Sequence, residues 1–491
     1  MRKRILIGVV VVLLLSMLVS TALAQVINTG PGKTNIFMQN LGSGHAQVTI
    51  NFYREETGIL DWSYPIPSPI PPKGSRTVLY PNFQLPDNWA GAAEVASTEP
   101  MAAIVNMFWD GNNTAAAYSG LDTPATEAYL PNLLKRTGRQ TRVTVQNTEA
   151  SQATVSLKFY NRNGVLVGTK DETIAAKAEE TYNLDNVTEC DFSATAGAGS
   201  LHITSNTKIA ALATLHYPDG SAAYSGVGSG DTIVWAPGIW RKQVAGAWNI
   251  YSAVVIQNLG ASAANITVEC LKKATQAEPN PPSHVFTDTI ASKAAYGINT
   301  IAVGTMPPTK WQNMINYMGT NWNGTIKVTS TNQQPLAGVV MYFNLGAAPD
   351  LVAYEAVRNR DATTNALSMP AVYRKRLTQT PAYWQWSVTF VQNLDNTSGS
   401  INVKFYDTQG NQRGNLQGYS VALPANSSVA LNLIYAPAGD PWNQVLTDLG
   451  QDFVGAMYIT STSGRHIIGN TIFYIQTKRQ GLGYSGFPVQ Q

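Results

Sequence analysis

Cysteine, histidine and charge are all scarce in this chain of 491 residues, and each scarcity removes a class of protein. Two cysteines, Cys190 and Cys270, cannot make a disulfide scaffold, so the chain must be held by its cores. Five histidines (His45, His202, His216, His284 and His466) stand apart from one another and from any cysteine pair, which argues against zinc. Neither a His-Glu-x-x-His run nor a Gly-x-Ser-x-Gly elbow occurs. Ser205 and Lys208 match a Ser-x-x-Lys pattern, but they sit in a strand turn, where that pattern needs a helix start. Acids are sparse and scattered on loops, so no pair suited to glycoside chemistry converges. The expectation is a protein that is not an enzyme and needs no cofactor; Asp110–Asn113 and Asp395–Thr397 are the two loops that could hold a structural Ca²⁺.

Charged residues make up 13 % of the chain, against roughly 25 % in an ordinary soluble domain. Arg2, Lys3 and Arg4 account for three of the 33 basic residues, which leaves 30 of each sign behind them. A neutral, weakly charged surface favours self-association and offers no footprint for nucleic acid. Those three residues precede an apolar run from Ile5 to Val19 and then Ala22-Leu23-Ala24, the pattern of a secretory signal peptide cut before Gln25. The run is shorter than the roughly 20 residues of a spanning helix. Export to the cell surface or beyond, without membrane insertion after cleavage, is expected.

What the chain has in abundance is repetition. Strand-like segments end in a Gln-Asn doublet four times, with the asparagine at Asn40, Asn147, Asn258 and Asn393, spacings of one small domain each. After each doublet comes an alternating strand such as Val155, Leu157 and Phe159. Cys270 stands where the other copies have Phe52, Phe159 and Phe405, which predicts a buried free thiol. A turn closing on Gly58, Gly164 or Gly410 follows in three copies, where glycine supplies a positive φ; the third copy has an inserted loop, Ala274 to Pro282, in its place. A second turn recurs around Lys73, Lys177, Lys293 and Asn426, then two more strands, then a closing tyrosine at Tyr118, Tyr224, Tyr354 and Tyr484. Between copies lies a short apolar stretch with one proline and a basic residue: YLPNLLKR, WAPGIWRK and SMPAVYRKR. Helix is nearly absent, with Trp311 to Met318 the one candidate.

About seven short strands per copy predict an all-β protein of four tandem immunoglobulin-like β-sandwich domains. The expected boundaries are a signal peptide at 1–24 and sandwiches at 25–121, 122–227, 228–357 and 358–491. The doublet reads as architecture: asparagine tolerates the left-handed region and can close a turn, and glutamine can satisfy a neighbouring backbone group.

The combined pattern, VxVQNLxxxxAxVxVxFYxxxG, then an apolar residue with PPxGS, then GxxxVxSxxP, is clearest at Ile36–Gly58, Ile70–Ser75 and Gly91–Val105. It resembles repeats of exported surface proteins of filamentous gliding bacteria. The resemblance implies extracytoplasmic modules for display, lattice or filament building, and adhesion; copies two and three lack the Pro-Pro turn, and no catalytic residue is carried over.

The leading expectation is therefore a structural protein that associates with itself into a surface layer, sheath or filament. The tail at Phe487, Pro488 and Val489 is a candidate subunit contact, because the copies before it continue into a proline-bearing strand and copy one has none before it. The alternative is an adhesin that grips cell-envelope polysaccharide through tryptophans at the junctions: Trp235, Trp240, Trp248, Trp384 and Trp386.

Overall fold

The computed structural model describes residues 32–111, 113–275, 278, 281–346, 350–362, 364–376, 383–475 and 480–489. The expected leader at 1–24, Asn112 and part of the loop after Ala274 lie outside them. The fold is all-β, with two short α-helices among the described residues. Pro308–Met318 is the helix expected from the sequence; Trp442–Asp448 was not expected, being a seven-residue stretch with only Trp442 and Val445 buried.

Each copy uses the same parts. A doublet strand (Gly32–Asn40, Gln140–Asn147, Ala247–Asn258, Tyr383–Asn393) carries Gln-Asn at its end. A middle strand follows (Val48–Arg54, Ala153–Asn161, Ala264–Lys272, Gly399–Asp407). A return strand (Gly91–Ser97, the first half of Ala198–Tyr217, Asn321–Ser330, Asp452–Ser461) lies antiparallel beside the middle strand. An inner strand and a closing strand then form a hairpin, the closing strands being Thr114–Ser119, Gly220–Ser225, Asp350–Glu355 and Gln480–Ser485.

The proline-bearing stretches form strands at Ala125–Leu134, Ile233–Val244 and Ala366–Arg376, each hydrogen-bonded to the return strand of its own copy. In all three the register skips two residues at the proline, from Leu130 to Leu133, Ala236 to Ile239 and Met369 to Val372. A residue without an N–H is tolerated where the ladder is already broken. The basic residue four positions after each proline turns inward: Lys135, Arg241 and Arg374 donate to the carbonyls of Val187, Gly319 and Gly450.

Copy one divides into a four-stranded and a three-stranded sheet, with Ile36, Met38, Val48, Ile50, Phe52 and Val78 packed between them. Copies two, three and four form continuous sheets of seven, nine and ten strands: in copies three and four the proline strand joins the return strand to the doublet strand, and in copy two the long strand Ala198–Tyr217 pairs with both the middle and the doublet strand. Cys190 and Cys270 are free and fully buried, and burial pushes both thiols up to about 12.

Candidate functional site: the seams of a closed ring

The doublet asparagines are fully buried and make the same bonds four times. Asn147 donates from Nδ2 to the carbonyls of Ser151 (2.7 Å) and Ala175 (3.0 Å), and its Oδ1 accepts the N–H of Glu149 at 3.1 Å. Asn40, Asn258 and Asn393 bond to the carbonyls of Gly44, Ser262 and Thr397 and accept from Gly42, Gly260 and Asp395. The side chain thus closes one turn and ties it to the next, as polar turn residues do. None of the four has a positive φ, so the left-handed part of the expectation is corrected: that conformation falls on Lys73, Lys177, Lys293 and Asn426 in the second turn.

The glutamine does something the sequence reading missed, since it reaches into the neighbouring copy. Gln257 donates to Ser200 Oγ of copy two at 2.8 Å. Gln392 accepts from Thr325 Oγ1 of copy three at 2.5 Å. Gln39 accepts from Ser368 of copy four, which closes the series from the last copy back to the first. These three are fully buried, whereas Gln146 is half-buried, and the position of Ser200 and Thr325 is held in copy one by Ala92, which has no hydroxyl.

The turns repeat the same circle. A Cβ built on Gly58 would lie 1.9 Å from the carbonyl oxygen of Ala176, one on Gly164 2.2 Å from that of Ser292, and one on Gly410 2.7 Å from Pro71. The first turn of copy one therefore abuts the second turn of copy two, two abuts three, and four abuts one. At the remaining seam the inserted loop substitutes, with the N–H of Ala274 donating to Ser427 Oγ at 2.6 Å. A glycine at each of the three tight points is required twice over, by its positive φ and by this approach.

At the centre the closing strands pack in a cycle, each against the next and the fourth against the first. Small residues recur in three of them (Ala115–Ala117, Ala222–Ala223, Gly481 and Gly483), which lets the backbones approach. Thr114 and Ser221 share a hydroxyl bond of 2.8 Å, Ser225 Oγ donates to the carbonyl of Ser119 at 2.7 Å, and Ser485 Oγ donates to that of Glu355 at 2.8 Å. The Glu355 carboxylate, raised by burial, accepts the N–H of Ser225. Tyr224, Tyr354 and Tyr484 point the other way, each donating to a proline-strand carbonyl (Asn132, Pro237, Ala371) at 2.7 to 2.8 Å.

Apolar cores cross the seams as well. Val255, Val339 and Leu351 of copy three join the core of copy two, Phe390 and Ile472 of copy four join that of copy three, and Phe37, Ile104, Ala115 and Ala117 of copy one join that of copy four. Titratable groups caught in this packing shift accordingly. Burial raises Asp350 to about 7 and lowers His216 to about 3, and burial beside Glu55 and Glu180 raises Glu179 to about 8.

The junction tryptophans are largely spent on packing. Trp235 is buried with Leu271, Ala362 and Ile468, donates to Asn359 Oδ1 at 3.2 Å, and has Lys327 over its ring. Trp240 meets Phe390 edge-on at 5.9 Å across the seam to copy four. Trp248 lies under the guanidinium of Arg241, and Trp386 stacks on Tyr474 at 5.2 Å; both are half-buried. The side chain of Trp384 lies outside the described residues.

The tail is placed at home. Phe487 and Pro488 pair with Ser368 and Leu367 of the same chain, and buried Val489 donates its N–H to Ala366. Copy three uses Val357 and Arg358 in the same way, so the tail residues expected at a subunit contact have partners within their own chain. Of the calcium loops, Asp110 pairs with Lys33, and Asp395 bonds to His466 and its N–H, so both carboxylates already have partners. No group of three or more His, Cys, Asp or Glu suited to a metal occurs among the described residues.

These seams define an all-β chain closed on itself through four repeated interfaces. A family of unknown function (DUF5719) matches residues 93–284, from the return strand of copy one to the third copy. No curated protein matches the chain. Among solved structures, "Crystal Structure of Thermotoga maritima 1070" is similar at 16 % identity, covering 21 % of this chain and 95 % of that one with a TM-score of 0.18. A structure of infectious bursal disease virus, Gx strain, is similar at 8 % identity, covering 90 % of this chain and 80 % of the other with a TM-score of 0.10.

Proposed function

We propose that the chain is an exported, non-enzymatic structural protein of the cell surface whose four copies are immunoglobulin-like β-sandwich domains, and that closed blocks of it associate into a layer, sheath or filament. The seven strands of copy one, split four and three around one core, support the sandwich reading. The observation that carries self-association is the outer sheet edge in copies one, two and three. The strands Leu60–Pro65, Leu166–Ile174 and His284–Ile290 end their sheets with an unpaired side among the described residues. Apolar residues stand exposed on or beside them: Ile59 at 55 %, Val165 at 58 % and Val285 at 52 %. Exposed edges of this kind template pairing with another chain.

Because the tail is used within its own copy, association would run edge to edge between blocks instead of head to tail. Negative-stain electron microscopy of residues 25–491 across concentrations tests this: ordered arrays that dissolve when Ile59, Val165 and Val285 are changed to lysine are expected. Isolated blocks at every concentration would sink the reading. Half-exposed Trp248 and Trp386 favour a second reading, polysaccharide binding, which glycan-array signal lost on Trp386→Ala in a folded protein would support.

A further inference from the structure

Among the described residues one copy lacks a part that the other three have. Copies two, three and four each cover the outer edge of their return strand with a proline strand, and that strand is then packed against the doublet strand or inner strand of the next copy. In copy one the return strand Gly91–Ser97 pairs with the middle strand alone among the described residues. Its inward positions show the difference. Leu201, Ile326 and Met457 are 0 % exposed, and Ala93 at the same position is exposed; Ile203, Val328 and Ile459 are 0 % exposed, and Val95 is half-buried. Tyr118, unlike the other three closing tyrosines, is half-buried and finds no proline-strand carbonyl among the described residues.

The facing wall, on copy two, is matched to this. Where a proline strand packs against the next copy, the outward face of the doublet strand is apolar: Phe37, Val255 and Phe390. On copy two the same face carries Arg142, Thr144 and Gln146, all half-buried. The seam between copies one and two thus sets a strand edge that is unpaired among the described residues beside a polar doublet strand, with the Lys177–Glu94 ion pair (3.4 Å) joining the two copies.

The proline spacing of the other copies bears on what can cover this edge. Proline precedes the doublet asparagine by 16, 21 and 23 residues in copies two, three and four. Counting back from Asn40 by those distances reaches residues 17 to 24, inside the expected leader. Seven residues, Gln25 to Pro31, are left before the doublet strand after cleavage, fewer than the 10 to 12 of the three proline strands.

We infer that copy one of the mature protein is completed in trans, by an extended segment of a different polypeptide that adds as a strand to the edge Gly91–Ser97. The three internal occupants specify it. It carries apolar side chains on alternate residues before a proline and again two residues after, as in Leu367-Ser368-Met369-Pro370-Ala371-Val372, and polar residues on the side that meets Thr144 and Gln146. Main-chain bonds to the edge would supply affinity and the alternate side chains specificity. The inference rests on export with cleavage after Ala24.

The test uses mature protein, residues 25–491, and a synthetic peptide copying residues 365–376, whose inward positions are Leu367 and Met369 and whose outward one is Ser368. Binding of one peptide per chain is expected, with hydrogen exchange of the Gly91–Ser97 amides slowed at least about tenfold. A peptide with Leu367→Asp and Met369→Asp, and the protein variant Val95→Asp, are each expected to lose binding. Amides of Gly91–Ser97 protected before any peptide is added, to the level of Asn321–Ser330, would overturn the inference by showing that residues 25–31 fill the edge. Unprotected amides with no binding would overturn it too. The intact mass of the secreted protein separates these from a failure of the export reading, since a retained leader adds residues 1–24.

Discussion

At the scale of the residue, the Gln-Asn doublet divides its labour: asparagine organises its own copy and glutamine joins that copy to its neighbour. Asn147→Ala strips two turns of their shared donor and leaves part-buried carbonyls without it, a loss of about 2 kcal/mol. Gln257→Ala removes one bond across a seam and should cost about 1 kcal/mol. Chemical denaturation of the two variants checks the ranking. A pH prediction belongs here as well. Asp350 is buried with Oδ1 unpartnered and its carboxyl raised to about 7, so the folded state keeps its proton where the unfolded state has lost it. That contribution is complete below the ordinary carboxylate value near 3.8 and is lost as pH rises through about 7. Relative to the parent, Asp350→Asn should therefore gain stability progressively between these values and hold a constant advantage above them, as melting curves across pH would show. His216, lowered to about 3, behaves oppositely: its contribution is lost as pH falls from 6.5 through that value. The asparagine was legible from four copies at one strand end. The role of the glutamine was not, because Ser200 and Thr325 hold a repeat position that is alanine in the other two copies, and Ser368 stands on a proline strand instead.

At the scale of the element, alternation and turn glycines were enough to place the strands and turns of each copy, since burial with period two is written locally. The turn glycines at 58, 164 and 410 do have positive φ. What they abut could not be read, because the opposing turn belongs to another copy. This yields a paired prediction. Gly464 has a positive φ and nothing within 4 Å of a built Cβ, so Gly464→Ala should cost about 1 kcal/mol for conformation alone. Gly164 has the same kind of φ and a backbone oxygen 2.2 Å away, so Gly164→Ala should cost at least about 3 kcal/mol and loosen the seam between copies two and three. Equal costs, measured by denaturant midpoints, would mean that the turn-on-turn contact contributes nothing. The proline strands were legible as strands, and the doublet strands hinted at more: IFMQN and VVIQN are apolar on both faces, the mark of a strand covered twice.

At the scale of the whole molecule, sequence repetition suggests beads in a row, and closure changes the shape. A chain this long folded as one block has a radius of gyration of about 23 Å, and four such beads strung out would have roughly twice that. Small-angle scattering of mature protein is expected to give the smaller value; the larger would refute the ring. Closure was illegible because its contacts join the most distant parts of the chain: Gln39 to Ser368, Pro71 to Gly410, and Phe37 to the core of copy four. No local pattern reports a contact 329 positions away.

That separation also sets a clock. Copy one leaves the ribosome first and copy four last, and at about 5–20 residues per second the partners of one seam are made tens of seconds apart. Throughout that interval Phe37, Ile104, Ala115 and Ala117 have no cover from within the chain. The protein therefore carries a sticky flank until its final domain is synthesised, and a polypeptide truncated before copy four keeps it for good. Its dependence on chaperones during synthesis should track the C-terminal quarter of the sequence, although the apolar surface to be shielded lies in the first.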